Sequence, residues 1–189
     1  NKIANLLNLE HVKFLISIFK ENNIEIRLVG GCIRDALLER EIKDIDTATT
    51  LKPQDILSLL IDNKIEYDDF AIQYGSIIAY PHNRKIQITT LREDVNQMGR
   101  HTNVIYTNSW KKDSARRDFT FNALYVGNNN NLHDYYNGQS DLNESKITFI
   151  GEIEDRIKEA YLRIYRYFRL RGLFNLPKTS LSDQKIVEK

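Results

Sequence analysis

The sequence contains a single cysteine, and it has no long apolar segment. Cys32 therefore cannot form an internal disulfide, and no second thiol is present for a cysteine-ligated metal cluster. No segment approaches the roughly twenty apolar residues that a membrane helix needs, and Asn1-Lys2 is not followed by a signal-peptide pattern. The sequence therefore predicts a cytoplasmic chain without a membrane partner, in which Cys32 is a buried structural thiol.

Net charge is also nearly absent. Twenty-seven Lys and Arg residues against 26 Asp and Glu residues give a net charge of +1. Bulk charge therefore does not indicate a nucleic-acid partner, and any such surface must be local.

The four histidines lie too far apart in sequence to predict a zinc site. With 189 residues, of which 41% are hydrophobic, the chain is long enough for one full domain and part of a second.

Helix and strand patterns alternate in the first part of the chain. Apolar residues at the helical repeat predict a helix over 11–21. A short, partly β-branched run predicts a strand over 25–29, which Gly30-Gly31 ends, and a helix follows over 33–39. A second strand is predicted to hold Asp44-Ile45-Asp46. Because side chains alternate across a strand, both aspartates point to one face.

The middle of the chain shows further strand and loop patterns. Pro53 predicts the first turn of a packed helix, and the runs 76–80 and 85–90 predict paired strands. Residues 92–110 are polar and show little periodicity, which predicts a mobile loop instead of a core element. The asparagine run 128–131 predicts a hairpin tip.

The C-terminal part of the chain is predicted to be helical. Residues 156–173 have the helical repeat, with an apolar side and a basic side. The apolar side contains Ile157, Tyr161, Ile164 and Phe168, and the basic side contains Arg163, Arg166 and Arg169. We predict a boundary near Ser145, which divides the chain into a domain over 1–145 and the beginning of a helical domain over 146–189. The chain is thus predicted to be the front portion of a longer protein.

The pair Asp44 and Asp46 is the first candidate for chemistry. Nucleotidyl transfer requires charge neutralisation on the attacking oxygen, the α-phosphate and the leaving pyrophosphate, which two Mg²⁺ ions held by carboxylates provide. Alone, such a pair is more commonly solvated or stabilises a turn. Gly30-Gly31 adds a turn at which a phosphate can approach backbone N–H groups. A bare Gly-Gly turn is also weak evidence, so the prediction depends on the order of these motifs along the chain.

The order of these motifs resembles a known superfamily. A strand, Gly30-Gly31, a helix with Arg34-Asp35 and then Asp44-x-Asp46 resemble the nucleotidyltransferase superfamily that includes DNA polymerase beta. More narrowly, LVGGCIRDALL, KDIDTAT and ARRDFTFNAL resemble the class II tRNA nucleotidyltransferases and bacterial poly(A) polymerases. The resemblance extends from Ile26 to about Phe174. It implies an α+β fold, in which a nucleotidyltransferase head with a mixed β-sheet flanked by helices is followed by an all-helical neck.

The resemblance also implies which residues form the site. Asp44 and Asp46 are the expected catalytic carboxylates and hold two Mg²⁺ ions. The expected nucleotide-binding residues come from the glycine turn, the RRDF motif and the neck helix. They are Gly30, Gly31, Arg34, Asp35, Arg117, Asp118, Asn122, Arg163, Arg166 and Arg169. Asp118 has a simpler alternative reading as a helix cap, and the neck arginines as a solvated helix face.

Two residues depart from the family pattern. The family carries a Glu-Asp-x-x-Arg motif that reads the base of CTP or ATP, and here the matching run is Glu159-Ala160-Tyr161-Leu162-Arg163. Alanine cannot supply the hydrogen-bond acceptor of the family aspartate. Three explanations stay open: the alanine is an engineered substitution, the enzyme has relaxed nucleotide specificity, or another group reads the base. Gln87 stands where relatives often carry a glutamate, and its neutral amide is a poorer metal ligand than a carboxylate.

The function that the resemblance implies is template-independent addition of nucleotides to RNA. The expected enzyme adds CMP and AMP from CTP and ATP to the 3′ end of tRNA and releases pyrophosphate, without an obligate protein partner. A poly(A) polymerase is the alternative within the class because it shares the head motifs. A catalytically impaired RNA-binding module and an enzyme that transfers nucleotides to small molecules are the alternatives outside it.

Overall fold

The chain folds as helices around a mixed sheet, and a computed structural model describes residues 2–98, 101–174 and 186. The described α-helices are α1 (Lys2–Leu7), α2 (Glu10–Glu21), α3 (Gly31–Leu37), α4 (Pro53–Asp62), α5 (Trp110–Ala115), α6 (Gly138–Asn143), α7 (Ile153–Glu159) and α8 (Leu162–Phe174). The described strands are β1 (Ile26–Val29), β2 (Asp46–Thr49), β3 (Tyr67–Asp68), β4 (Ser76–Ala79), β5 (Ile86–Thr90), β6 (Arg92–Met98), β7 (His101–Tyr106), β8 (Leu124–Gly127) and β9 (Leu132–Asp134). The predicted α+β class is confirmed.

Seven of these strands form one sheet in the order β3-β4-β5-β2-β1-β8-β9. β2 and β5 are parallel, and the other pairs are antiparallel, so the sheet is mixed as predicted. The parallel pairing requires a crossover between β2 and β5, and the chain supplies α4 and the β3–β4 hairpin. β1 and β2 thereby lie next to each other at the centre, which brings the glycine turn and the aspartate pair together.

The main core lies between the sheet and the N-terminal helices. Its cluster combines the buried faces of α2 and α4 with the inner side chains of the sheet, among them Phe19, Leu60 and Ile88, each 0% exposed. Burial of each such side chain contributes roughly 1.5–3 kcal/mol to stability. The predicted helices over 11–21 and after Pro53 are confirmed, because their apolar repeat is the face that packs.

The strand that carries the aspartates begins two residues later than predicted. β2 starts at Asp46, and Asp44 precedes it in the connection from α3. The backbone is nevertheless extended at this point, because Gln87 N–H donates to the Ile45 carbonyl at 2.9 Å. Ile45 is buried while Asp44 is exposed and Asp46 half-buried. The predicted alternation therefore holds, although regular pairing does not reach Asp44.

The prediction of a loop over 92–110 is wrong. β6 and β7 form a two-stranded antiparallel hairpin, with Arg92 opposite Tyr106 and Asp94 opposite Val104. This hairpin is separate from the main sheet, so neither face needs the apolar alternation of a half-buried strand. Backbone pairing alone gives no sequence periodicity. Gly99, on which the loop prediction relied, lies outside the described residues.

The predicted C-terminal helix is interrupted. α7 ends at Glu159, and Ala160 has an extended backbone with φ −158° and ψ 105°. Because of this break, the apolar face of α8 does not continue that of α7. Tyr167 and Leu170 face the core, at 2% exposure each. Tyr161 and Phe168, predicted on the packed side, are 67% and 42% exposed, so that part of the prediction is wrong.

A second core cluster joins the head to the C-terminal helices. Phe119 and Phe149 lie 4.7 Å apart between ring centroids, and Phe149 stacks on Tyr167 at 5.9 Å. Leu142 and Ile157 belong to the same cluster. Residues from both sides of the predicted boundary near Ser145 therefore share one core, and the division into domains stays a prediction.

Candidate active site

A cavity of about 810 Å³ lies between the glycine turn, the connection into β2, the RRDF segment and α8. Eleven predicted site residues line it, namely Gly30, Gly31, Arg34, Asp35, Asp44, Asp46, Arg117, Asp118, Asn122, Arg166 and Arg169. Further lining residues that the sequence analysis did not select are Arg40, Glu41, Lys43, Leu170 and Leu173. The fold thus gathers residues that are more than 100 positions apart into one polar cavity.

The carboxylates of Asp44 and Asp46 face this cavity together. Burial raises the pKa of Asp46, the positive charge of Arg117 lowers it, and the negative charge of Asp44 raises it further, with a net upward shift. Two carboxylates held close to each other disfavour the state in which both are charged. A divalent cation between them would relieve this repulsion, so the pair has the chemistry of a metal site.

No third protein ligand completes such a site in the described part of the chain. Within residues 2–98, 101–174 and 186, no group of three or more His, Cys, Asp or Glu side chains could hold a metal ion. Gln87 lies opposite Asp46 in the sheet register, but its side-chain amide donates to Ser76 Oγ at 2.9 Å. Mg²⁺ commonly keeps several waters and bonds to one or two carboxylates plus substrate phosphates, which fits this pair.

The glycine turn lies on the cavity wall and has an unusual backbone conformation. Gly30 has φ +79°, a conformation that side chains other than glycine rarely adopt. A Cβ atom at Gly30 would lie 3.5 Å from the Asn122 carbonyl oxygen and 3.6 Å from Arg117 Nη1. Gly30 therefore lies next to the Arg117 guanidinium on the cavity wall.

Five side chains form a continuous hydrogen-bonded chain along one cavity wall. Arg34 donates to both Asp35 carboxylate oxygens at 2.9 Å and to Asn122 Oδ1 at 2.9 Å. Asn122 Nδ2 donates to Asp118 Oδ1 at 3.1 Å, and Arg166 Nη1 donates to Asp118 Oδ2 at 3.2 Å. The chain connects α3 to α8 through the RRDF segment.

Asp118 does not act as the helix cap that its sequence position allowed. The 3₁₀ turn Thr120–Ala123 follows it without a side-chain cap hydrogen bond. Its carboxylate accepts instead from Phe119 N–H at 2.9 Å and from the Asn122 and Arg166 side chains. Asp118 thus orders the two polar groups that face the cavity beside it.

The second cavity wall is built around Arg117. Its Nε donates to Tyr125 Oη at 3.0 Å and its Nη2 to Asp113 Oδ2 at 3.3 Å. Burial alone would raise the pKa of Asp113, but Arg117 and Arg116 outweigh that effect and lower the pKa below its usual value. The sequence analysis missed Asp113 and Tyr125. Only the i,i+4 spacing of Asp113 and Arg117 in the sequence could have indicated the ion pair.

Arg163 is the predicted site residue that the structure does not bring to the cavity. Its guanidinium is buried, and it donates to the Arg156 carbonyl at 2.6 Å and to the Arg116 carbonyl at 3.4 Å. It also pairs with the Glu159 carboxylate. The break at Ala160 directs this part of the chain inward, so Arg163 links α7, α8 and the RRDF segment.

The fold and the cavity together define the class of nucleotidyltransferase heads. A profile described as the poly A polymerase head domain matches residues 26–148. The chain therefore belongs to the poly A polymerase head domain family.

Known proteins with this head include tRNA-modifying enzymes. The mitochondrial CCA tRNA nucleotidyltransferase 1 of Danio rerio is 41% identical over 165 residues, which are 84% of this chain and 37% of that protein. The Bacillus stearothermophilus CCA-adding enzyme in complex with CTP superposes with a TM-score of 0.76 at 27% identity, over 86% of this chain and 38% of that chain. A tRNA nucleotidyltransferase complexed with a primer tRNA and an incoming ATP analog gives 0.72 at 27% identity, over 90% and 47%. The chain spans less than half the length of each.

Proposed function

We propose that the chain is the catalytic head and the start of the neck of an enzyme that adds CMP and AMP from CTP and ATP to the 3′ end of tRNA. The observation that carries this proposal is the cavity in which the Asp44–Asp46 pair faces the glycine turn and three arginines, Arg117, Arg166 and Arg169. The relatives at this level of similarity are CCA-adding enzymes, and two of the structures hold CTP or a primer tRNA with an ATP analog.

In the proposed reaction the 3′ hydroxyl of the RNA attacks the α-phosphate of the nucleotide. The bond from the α-phosphorus to the bridging oxygen breaks, and pyrophosphate leaves. Arg117 and Arg34 supply positive charge on either side of the Gly30-Gly31 turn, where the triphosphate would lie. Arg166 and Arg169 supply charge from α8 for the phosphates of the nucleotide or the RNA end. Asp118 and Asn122 offer polar atoms between these two sets.

We propose further that the site binds two Mg²⁺ ions. Asp44 and Asp46 would hold them, and when bound such ions neutralise charge on the reacting phosphate and lower the pKa of the attacking hydroxyl. The paired carboxylates, and the raised pKa of Asp46 that their proximity and burial cause, support this assignment.

The test is nucleotide incorporation into tRNA that lacks its terminal CCA. The protein and Mg²⁺ are incubated with labelled CTP, ATP, UTP or GTP, singly and in pairs. Addition of C and then A, abolished in Asp44→Ala and kept in Asp62→Ala, is the expected result. Asp62 is the matched control because it is an exposed aspartate at the end of α4. Absence of ordered C and A addition in the unaltered chain would reject the proposal.

A poly(A) polymerase is the second candidate. The matching profile carries that activity in its description, and the base-reading pair of the CCA-adding family is incomplete here because Ala160 lacks an acceptor and Arg163 is buried. Incorporation of AMP alone, repeated many times, would identify this function in the same assay. RNA binding without any incorporation would identify a catalytically impaired RNA-binding module.

We infer a cytoplasmic location. No helix in the described part of the chain is long and apolar enough to span a membrane. The Danio rerio relative is a mitochondrial protein, so a mitochondrial location is the alternative. Localisation of a tagged protein in its own cells would decide this point.

A further inference from the structure

The buried carboxylate of Asp113 is a convergence point for four hydrogen-bond donors. One oxygen, Oδ1, accepts from Arg92 N–H at 3.1 Å and from Arg116 Nε at 2.9 Å. The other, Oδ2, accepts from Arg117 Nη2 at 3.3 Å and from Tyr125 Oη at 2.6 Å. Asp113 and Tyr125 are both 0% exposed, and neither lines the cavity. Their arrangement therefore acts on the site only through the groups that they hold.

Three of these residues form a closed triangle. Tyr125 Oη donates to Asp113 and accepts from Arg117 Nε at 3.0 Å, while Arg117 Nη2 donates to Asp113. Two nitrogens of the guanidinium are thus fixed from behind by α5 and β8. The third nitrogen, Nη1, lies beside the Gly30 turn. A planar guanidinium held at two nitrogens has one orientation, so its free edge is directed at the turn.

We propose that Asp113 and Tyr125 are positioning residues that fix the Arg117 guanidinium against the glycine turn, where it receives the triphosphate of the incoming nucleotide. This inference rests on the proposed function, since it assigns Arg117 to the nucleotide. Pre-formed orientation matters because an arginine that must be ordered during binding loses side-chain entropy that weakens the complex.

The chemistry of the triangle explains why an aspartate and a tyrosine are needed. All four partners of Asp113 donate, and only a carboxylate offers two acceptor oxygens. An asparagine amide at this position has a single acceptor oxygen. One of the two donor pairs, Arg92 with Arg116 or Arg117 with Tyr125, would therefore lose its acceptor. Tyr125→Phe is the milder change. It keeps the ring against Trp110, at 5.4 Å between centroids, and removes only the hydroxyl.

The experiment measures KM and kcat for CTP with the tRNA substrate, together with CTP binding by calorimetry. Asp113→Asn is expected to raise KM and the dissociation constant about tenfold to a hundredfold, and Tyr125→Phe about threefold to tenfold, with smaller effects on kcat. Tyr135→Phe is the matched control. Tyr135 also receives a hydrogen bond from an arginine, Arg27 at 3.4 Å, but it lies outside the triangle, and its change should leave both constants within twofold.

A double-mutant comparison distinguishes a positioning role from a simple loss of stability. In the Arg117→Ala background, Tyr125→Phe should weaken CTP binding no further, because nothing is left to position. Thermal unfolding of every variant shows whether it is folded at the assay temperature. Weakened binding in Arg117→Ala together with unchanged binding in Tyr125→Phe would overturn the positioning role and leave the proposed function intact. Unchanged binding in Arg117→Ala would overturn the assignment of Arg117 to the nucleotide, and the inference with it.

Discussion

The charge of Asp46 reduces the stability of the folded chain. Its carboxylate is half-buried, and both burial and Asp44 raise its pKa, so the folded chain holds a charge that the surroundings disfavour. A neutral side chain of the same shape would fit with less penalty, which agrees with the proposed catalytic role of Asp46. Arg117 only partly offsets this cost.

Asp46→Asn is therefore expected to separate activity from stability. Under the proposed function, nucleotide incorporation should fall by about a thousandfold or more, because an amide cannot replace a carboxylate that would hold Mg²⁺. The melting temperature without metal should stay equal or rise, because the repulsion from Asp44 is removed. Asp62→Asn, an exposed aspartate, serves as the control for loss of one negative charge. A lower melting temperature in Asp46→Asn alone would show that the Asp46 charge stabilises the fold.

At the scale of elements, the break between α7 and α8 determines which arginines reach the cavity. Ala160 ends the first helix with an extended backbone, and the new phase of α8 directs Arg166 and Arg169 to the cavity while Arg163 turns inward. The family resemblance implies that an acceptor at the position of Ala160 reads the base. The present chain lacks that acceptor, so its selection of nucleotides should be looser.

Ala160→Asp should sharpen this selection. A carboxylate at this position supplies an acceptor for the exocyclic amino groups that cytosine and adenine carry and uracil lacks. We expect the preference for CTP over UTP to rise about tenfold, as one hydrogen bond contributes about 1–1.5 kcal/mol. Ala160→Ser is the control, because its hydroxyl is too short to reach equally far. Competition between labelled CTP and UTP measures the ratio, and equal ratios in all three proteins would show that position 160 does not read the base.

The contact between α2 and the turn Pro81–Asn83 should make stability depend on pH. Burial lowers the pKa of His11, Arg84 and His82 lower it further, and Glu10 opposes them. His82 stacks on Phe14 at 4.7 Å in the same contact. Because the folded pKa of His11 lies below its unfolded value, the unfolded chain binds more protons, so stability falls as pH drops below about 6.5.

Replacement of His11 tests this dependence. His11→Gln should lose less unfolding free energy than the unaltered chain between about pH 7.5 and pH 5.5, as measured by denaturant titration. Lys13→Gln, an exposed neighbour on α2, should lose as much as the unaltered chain. Equal losses in all three proteins would mean that protonation of His11 is not linked to folding.

At the scale of the whole molecule, sequence motifs predicted the cavity better than they predicted the elements around it. Gly30-Gly31 and Asp44-x-Asp46 meet because β1 and β2 are neighbours, and short motifs on adjacent strands carry that information locally. The hairpin β6–β7 and the break at Ala160 were not predictable in the same way. Residues 92–95 and 103–106 of the hairpin are half-buried or exposed, so they show no apolar period. A helix break at an alanine opposes the helix propensity of that residue. The position of Arg163 was predicted wrongly because the sequence did not indicate the break at Ala160.

Positive charge is concentrated on α8, although the molecule is nearly neutral. The net charge is +1, yet α8 contains four arginines and no acidic residue. RNA binding should therefore be weak and depend steeply on salt, and each arginine that contacts a phosphate contributes about 0.7 to the slope of log K against log salt for a single strand. Arg169→Gln should lower the slope by about that amount, measured by fluorescence anisotropy with a labelled tRNA acceptor end. Lys20→Gln removes an equal charge from α2, at an exposed residue that does not line the cavity, and should leave the slope unchanged. If both variants shift the slope equally, net charge and not the α8 surface governs RNA binding.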